Sequence, residues 1–182
     1  MMSEKQEIRN SVLEELHKID RHLHRTRSLH LVGQLFATEE WKEAQTIATT
    51  LARHPEIATE AIILKALQEG KQIVLPRTYN ATKEMIFKKY SENDALEKKK
   101  LSLLEPLETA ETVSPTDIDL VVVPGVVFNA ENYRIGFGGG FYDRFLADYQ
   151  GTSISLCLDE QYHSFQPEAH DIPVTFLIRE NQ

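Results

Sequence analysis

Residues 119–146, DLVVVPGVVFNAENYRIGFGGGFYDRFL, decide how this chain folds. Behind Asp119 the Leu and Val residues at 120–123 run without polar alternation, which predicts a strand buried on both faces of a sheet. Pro124-Gly125 ends it. A glycine-rich loop follows at 136–140, and residues 141–149 predict a helix that starts directly after it. In that order the loop N–H groups can approach an anion with no Cβ in the way. The positive end of the helix dipole faces the same spot. Arg134 stands just ahead of the glycines as a fixed cation. Asp143 falls in the first helical turn, where it can hold a metal that bridges phosphate oxygens. The glycines by themselves equally suit a tight turn packing a helix on a sheet, with Asp143 as a first-turn capping carboxylate. Two phosphate motifs are excluded. No Gly-Lys-Ser/Thr follows the loop, and Phe141 stands where the dinucleotide fingerprint needs its third glycine.

Outward from this segment the chain reads as strands alternating with helices. Residues 4–24 predict one amphipathic helix, with Ile8, Val12, Leu16, Ile19 and Leu23 at three- and four-residue steps. Thr38 caps a second helix carrying Glu39, Glu40 and Trp41. The β-branched residues in 45–52 favour a strand ending near Pro55. Thr59 is read as the cap of the helix AIILKALQE, which Gly70 stops. Residues 72–75 predict a short strand closed by Pro76, and 85–90, 153–158 and 174–178 predict further strands. Residues 97–100 read as a solvated charged stretch. The expectation is an α/β fold: one three-layer αβα domain over residues 1–182 with a mainly parallel sheet.

Composition bounds the function. The 182 residues are 41% hydrophobic and 26% charged, ordinary for a globular protein, with a formal net charge of −8. An acidic chain is a poor nucleic-acid partner, because phosphate neutralisation needs clustered Lys and Arg. No apolar run is long enough to span a bilayer, and the N-terminus MMSEKQEIRN lacks the apolar stretch of a secretory signal. Cys157 is the one cysteine, so a cytoplasmic setting is expected. It is read as a small core hydrophobe, not a nucleophile. His17, His22, His24 and His30 cluster without a cysteine partner and are read as a solvated helix face, not a zinc site. No Gly-x-Ser-x-Gly elbow occurs.

The segment from Pro124 resembles the signature of the 5-formyltetrahydrofolate cyclo-ligase family. There a Pro-Gly, an aromatic and an Arg-hydrophobic-Gly lead into a glycine loop and Tyr-Tyr-Asp-Arg. Here these are Pro124-Gly125, Phe128, Arg134-Ile135-Gly136, Gly138-Gly139-Gly140 and Phe141-Tyr142-Asp143-Arg144. Lys5 and Arg9 match the family's Lys-x-x-x-Arg, one turn apart on one helix face. Leu51 and Glu56 match the positions lining its pterin pocket. Residues 159–161, Pro167 and 170–173 match its closing motif.

The resemblance implies an ATP- and Mg2+-dependent ligase that closes 5-formyltetrahydrofolate into 5,10-methenyltetrahydrofolate. It implies ATP contacts from Lys5, Arg9, Arg134, Ile135, Gly136, Phe137, Gly138, Gly139, Gly140, Phe141 and Tyr142. It puts folate against Leu51, Glu56, Phe137, Gly138, Gly139, Gly140 and Phe141. Asp143 and Asp171 are its magnesium carboxylates, and Arg134 and Asp143 its catalytic pair. No protein partner is implied beyond a monomer or small homo-oligomer. Asn129, Phe137, Phe141 and Thr175 depart from the family's usual residues. On the layered fold alone, a sugar-phosphate isomerase, a CoA transferase and a non-catalytic folate or nucleotide binder all stay open.

Overall fold

The computed structural model describes residues 1–100 and 103–181. Three helices open the chain: α1 (Glu4–Lys18), α2 (Arg21–Ala37) and α3 (Glu39–Glu43). Then come β1 (Thr46–Ala48), α4 (Glu60–Gln68), β2 (Gln72–Tyr79), β3 (Glu84–Tyr90), β4 (Leu96–Lys98), β5 (Leu104–Pro106) and β6 (Thr112–Val113). The last third carries β7 (Leu120–Val122), β8 (Val127–Phe128), β9 (Arg134–Ile135), α5 (Phe141–Asp148), β10 (Thr152–Cys157) and β11 (Phe176–Arg179).

Seven strands form the central sheet in the order β11-β10-β7-β1-β2-β3-β6. The first five run parallel, and β3 and β6 add on antiparallel. Side chains alternate between two cores, as the period of a strand requires. Ile47, Ile73, Leu75, Leu120, Val122, Ile154 and Leu156 face the helical layer built by Leu16, Leu31, Leu35, Trp41, Ile62 and Ala66. Ala48, Val74, Val121 and Val123 face the opposite layer, where α5 supplies Phe145 and Leu146 and its C-cap supplies Tyr149. Both faces are therefore covered, which is the αβα arrangement expected, and no helix of the described residues is long and apolar enough to cross a membrane.

Local chemistry changed several expected boundaries. The helix predicted over 4–24 breaks after Lys18. Ile19 is extended, and the Asp20 carboxylate accepts the N–H groups of His22 and Leu23, capping a new helix inside the apolar repeat. Leu23, counted in that repeat, is 50% exposed. Thr59 does not cap α4 with its side chain. Its hydroxyl donates to the Thr50 carbonyl and accepts from Ala52 N–H, tying down the loop after β1. Pro76 does not close β2, which runs on to Tyr79. The polar groups of Val74 face β1, as its carbonyl accepting from Thr49 shows, and those of Pro76 point the same way, past the end of β1. The missing N–H therefore costs no ladder bond. The last strand starts at Phe176, two residues late, because Val174 N–H is drawn off to the Asn132 carbonyl.

Candidate active site

A cleft of about 1180 Å³ opens where the parallel strands β1 and β7 end, the edge at which open α/β sheets bind ligands. Residues 50–56 leave β1 along one wall, Pro124 leaves β7, the outer half of β2 forms part of the lining, and the start of α1 closes one end.

The glycine loop is built as the residues demand. Gly138 has φ +102° and Gly140 φ +72°, left-handed conformations that side chains adopt only with strain. A Cβ on Gly139 would lie 2.7 Å from the Phe141 ring. Gly140 sits at the N-cap of α5 and offers no side chain, so no side chain caps that helix start. Phe137, 57% exposed, stands at the cleft mouth. Lys83, itself at positive φ, lies over the Phe141 ring at 5.7 Å. Ile135 is on the lining, yet its side chain packs into the helical-side core.

Cations from both halves of the chain meet this loop. Arg9 donates through Nε to the Gly136 carbonyl at 2.6 Å. Lys5, one turn earlier, is ion-paired with Asp171 and, at 2.9 Å, with Glu168. Burial opposes the Lys5 charge, but hydrogen bonds to Asp171 and Glu168 outweigh it and raise its pKa. Arg134, only 4% exposed at its side chain, donates to the Ile172 carbonyl at 3.0 Å and lies 3.2 Å from Asp143. Burial pulls its pKa down, against the fields of Asp143, Tyr142 and Asp171.

The two carboxylates expected at a metal are already engaged. Asp143 Oδ1 accepts Ile172 N–H at 3.0 Å as well as facing Arg134. Asp171, next in the chain to Ile172, accepts Glu168 N–H at 2.8 Å and holds Lys5. Burial works against the Asp171 charge, yet the Lys5 and Glu168 hydrogen bonds hold its carboxyl below the usual range. Among the described residues, the group with metal-ligand spacing is Glu168, His170 and Asp171, whose ligand atoms lie within 4.8 Å of one another. His170 was read only as part of the closing motif, and Glu168 escaped the sequence reading, because its spacing from Asp171 by itself marks no more than a turn.

The folate-side candidates line the same cleft. Leu51 and Glu56 follow β1. Glu56 accepts Arg53 N–H at 2.9 Å, and burial pushes its carboxyl above the usual range. The Tyr142 ring lies 5.9 Å from the Arg134 guanidinium carbon, and its buried hydroxyl has no hydrogen-bond partner among the described residues. Burial raises the Tyr142 pKa, with Glu56 and Glu105 adding to the effect, so the hydroxyl stays protonated. Glu105 is a buried carboxylate that the sequence did not single out, because only the fold of β5 against β2 brings it to the cleft. The 97–100 stretch also differs from its reading. Glu97 pairs with buried Arg77, and Lys99 and Lys100 border the cleft.

The remaining candidates fall outside the cleft. His17 and His24 each pack edge-on against His54, and His24 Nε2 is 2.9 Å from the Pro55 carbonyl, so these rings brace the wall. Cys157 is buried, and burial pushes its thiol up to about 12, which leaves it no nucleophile. Asn129 accepts from Glu131 and Tyr133 N–H and donates to the Phe165 carbonyl. Thr175 bonds Ser153.

Comparison with known proteins gives the cleft its context. The model of the 5-formyltetrahydrofolate cyclo-ligase family matches residues 1–180. The 5-formyltetrahydrofolate cyclo-ligase of Haemophilus influenzae is 29% identical over 141 residues, 74% of this chain and 75% of its own. The solution structure of the Aquifex aeolicus 5,10-methenyltetrahydrofolate synthetase superposes with a TM-score of 0.85 at 29% identity, covering 98% of this chain and 90% of that one. A Mycoplasma pneumoniae 5,10-methenyltetrahydrofolate synthetase shares the fold, with a TM-score of 0.74 at 23% identity over 97% and 98% of the two chains.

Proposed function

The chain belongs to the 5-formyltetrahydrofolate cyclo-ligase family, and on that premise we propose that its cleft closes 5-formyltetrahydrofolate into 5,10-methenyltetrahydrofolate while ATP is cleaved to ADP and phosphate. The observation that carries the reading is convergence. Lys5 and Arg9 of α1, Arg134 of β9 and the glycine loop all border one cleft that also holds Leu51 and Glu56.

The chemistry explains why no protein nucleophile is needed. A formyl group on nitrogen is an amide, and its carbon is a weak electrophile. Its oxygen attacks the γ-phosphorus of ATP, ADP leaves, and the carbon becomes an imidate-like phosphate. N10 adds to that carbon, the ring closes, phosphate departs and the N10 proton is lost, giving the methenyl cation. The protein's part is alignment and charge stabilisation. Arg134, clamped by Asp143 and the Ile172 carbonyl, presents a guanidinium that cannot swing away. Arg9 and the glycine-loop amides border the same cleft and are the further donors available to the phosphates. Glu56 suits the donor edge of the pterin.

Magnesium fits the residues present. Asp171 and Glu168 already share a cation in the Lys5 ammonium, and their oxygens are the hard donors a divalent ion requires. Asp171 and Glu168 would hold Mg2+, with the free oxygen of Asp143 on the same cleft as a further carboxylate donor toward it, and the ion when bound supplies charge neutralisation to the phosphates. The lone buried thiol of Cys157 accords with a cytoplasmic setting.

The test is direct. Protein, 5-formyltetrahydrofolate and Mg-ATP are mixed, and the near-ultraviolet absorbance of the methenyl product is followed. ATP-dependent growth of that band is expected. Substrate binding without turnover would instead select the non-catalytic binder.

A further inference from the structure

Among the described residues, five carboxylates border the cleft: Glu56, Glu105, Asp143, Glu168 and Asp171. Asp143 is held by Arg134, and Glu168 and Asp171 by Lys5. Glu105 is different. It is 6% exposed, and among the described residues it has no ion-pair partner. Its contacts are neutral donors of β2: Thr78 Oγ1 donates to Oε1 at 2.6 Å and Thr78 N–H to Oε2 at 3.2 Å. A carboxylate can accept about four hydrogen bonds, so these two fix its orientation and leave capacity on each oxygen. A buried charge supported by one residue's neutral groups is costly unless another donor arrives.

Glu105 also has a companion with unmet capacity. The Tyr142 hydroxyl is buried on the same cleft without a partner, and an orphaned polar atom of that kind calls for one. Apolar Leu75, Pro76, Met85 and Leu104 complete the wall around them. The cleft is thus divided. Cations gather at the glycine loop, and Lys99 and Lys100 stand at the β4–β5 turn, while between them β2 and β5 present an acid and apolar surface and α5 a hydroxyl. A flat ring rich in N–H groups suits that acid.

We propose that Glu105, oriented by Thr78, is a second folate-binding carboxylate beside Glu56, accepting a ring N–H of the reduced pterin while the Tyr142 hydroxyl donates to the ring carbonyl. This inference rests on the ligase reading above. It makes Glu105 and Tyr142 specificity residues and Thr78 a positioning residue.

Steady-state constants for each substrate test it, together with calorimetric titration of 5-formyltetrahydrofolate into the protein without ATP. Glu105→Gln keeps the volume and removes the charge. Its KM and Kd for the folate should rise about ten- to a hundredfold, the worth of a charged hydrogen bond, while KM for ATP stays within about twofold. Tyr142→Phe and Thr78→Val should move the folate constants several-fold in the same direction. A folate KM unchanged in Glu105→Gln overturns the inference. So does a rise in KM for ATP alone, which would put the adenine on this wall. Thermal melting establishes that each variant is folded, and if Glu105→Gln is not, Tyr142→Phe and Thr78→Val decide. Wild-type protein that makes no methenyl product would sink the ligase reading itself, an outcome distinct from a variant that fails to respond.

Discussion

Replacing Arg134 by Met tests whether its guanidinium is both a structural clamp and the cation aimed at the phosphates. The side chain is 4% exposed, and it joins Asp143 at 3.2 Å to the Ile172 carbonyl at 3.0 Å. Met fills comparable volume with no charge, so the perturbation strands Asp143 and the carbonyl. Stranding one member of a buried pair costs about 3–5 kcal/mol. Asp143 keeps 20% of its exposure and the Ile172 N–H bond, so water and that donor reduce the loss to about 2–3 kcal/mol. In a chain of this length that corresponds to a fall of about 5–10 °C in melting temperature. Adding Asp143→Asn removes the stranded charge while keeping an acceptor for Ile172, so the double variant should recover part of the loss. Turnover should fall tens-fold or more in both variants, because each lacks the fixed cation. Calorimetry and the methenyl absorbance assay read the two effects separately. A variant melting with the wild type would refute the clamp, and one with wild-type kcat/KM would refute the phosphate role.

Three other substitutions probe separate parts of the argument. Glu56→Gln should raise the folate KM far more than the ATP KM. Because burial raises the Glu56 pKa in the fold, ionising it costs stability as pH climbs through that value, so at pH 7 the Gln variant should melt no lower than wild type. Gly140→Ala forces a Cβ into φ +72°, costing about 1–2 kcal/mol by denaturant unfolding, and it should raise the ATP KM. Arg27 holds Glu160 and Glu180 below their usual pKa through hydrogen bonds, so the stability it supplies is complete above about pH 4.5 and lost as pH falls through the depressed values. Arg27→Met should lower the neutral-pH stability by about 2 kcal/mol and flatten that acid loss, as melts between pH 3 and 7 would show.

Much of the fold could be read from local patterns because those patterns are themselves the physics of burial. Val121 to Val123 lie on alternate sheet faces between two helical layers, and an unbroken apolar run is the only sequence compatible with that. The glycine loop was legible for the same kind of reason, since left-handed backbone at Gly138 and Gly140 leaves little choice of residue. Element ends were less legible. The break at Asp20 is a local cap that competes with the apolar repeat, its carboxylate accepting N–H groups two and three residues on, whereas the passage of β2 through Pro76 depends on β1, which lies elsewhere in the chain.

By itself, then, the sequence determined the strand, the glycine turn and the helix behind it, because each follows from contacts among near neighbours, while the expected pterin residues Leu51 and Glu56 came from the family resemblance. Tertiary structure alone decided that Lys5 reaches Asp171 across 166 positions and Arg9 reaches Gly136 across 127. It alone carried Glu105 of β5 to the cleft that Tyr142 also lines. Such meetings are set by how sheet order folds distant segments onto one edge, and no local spacing records them.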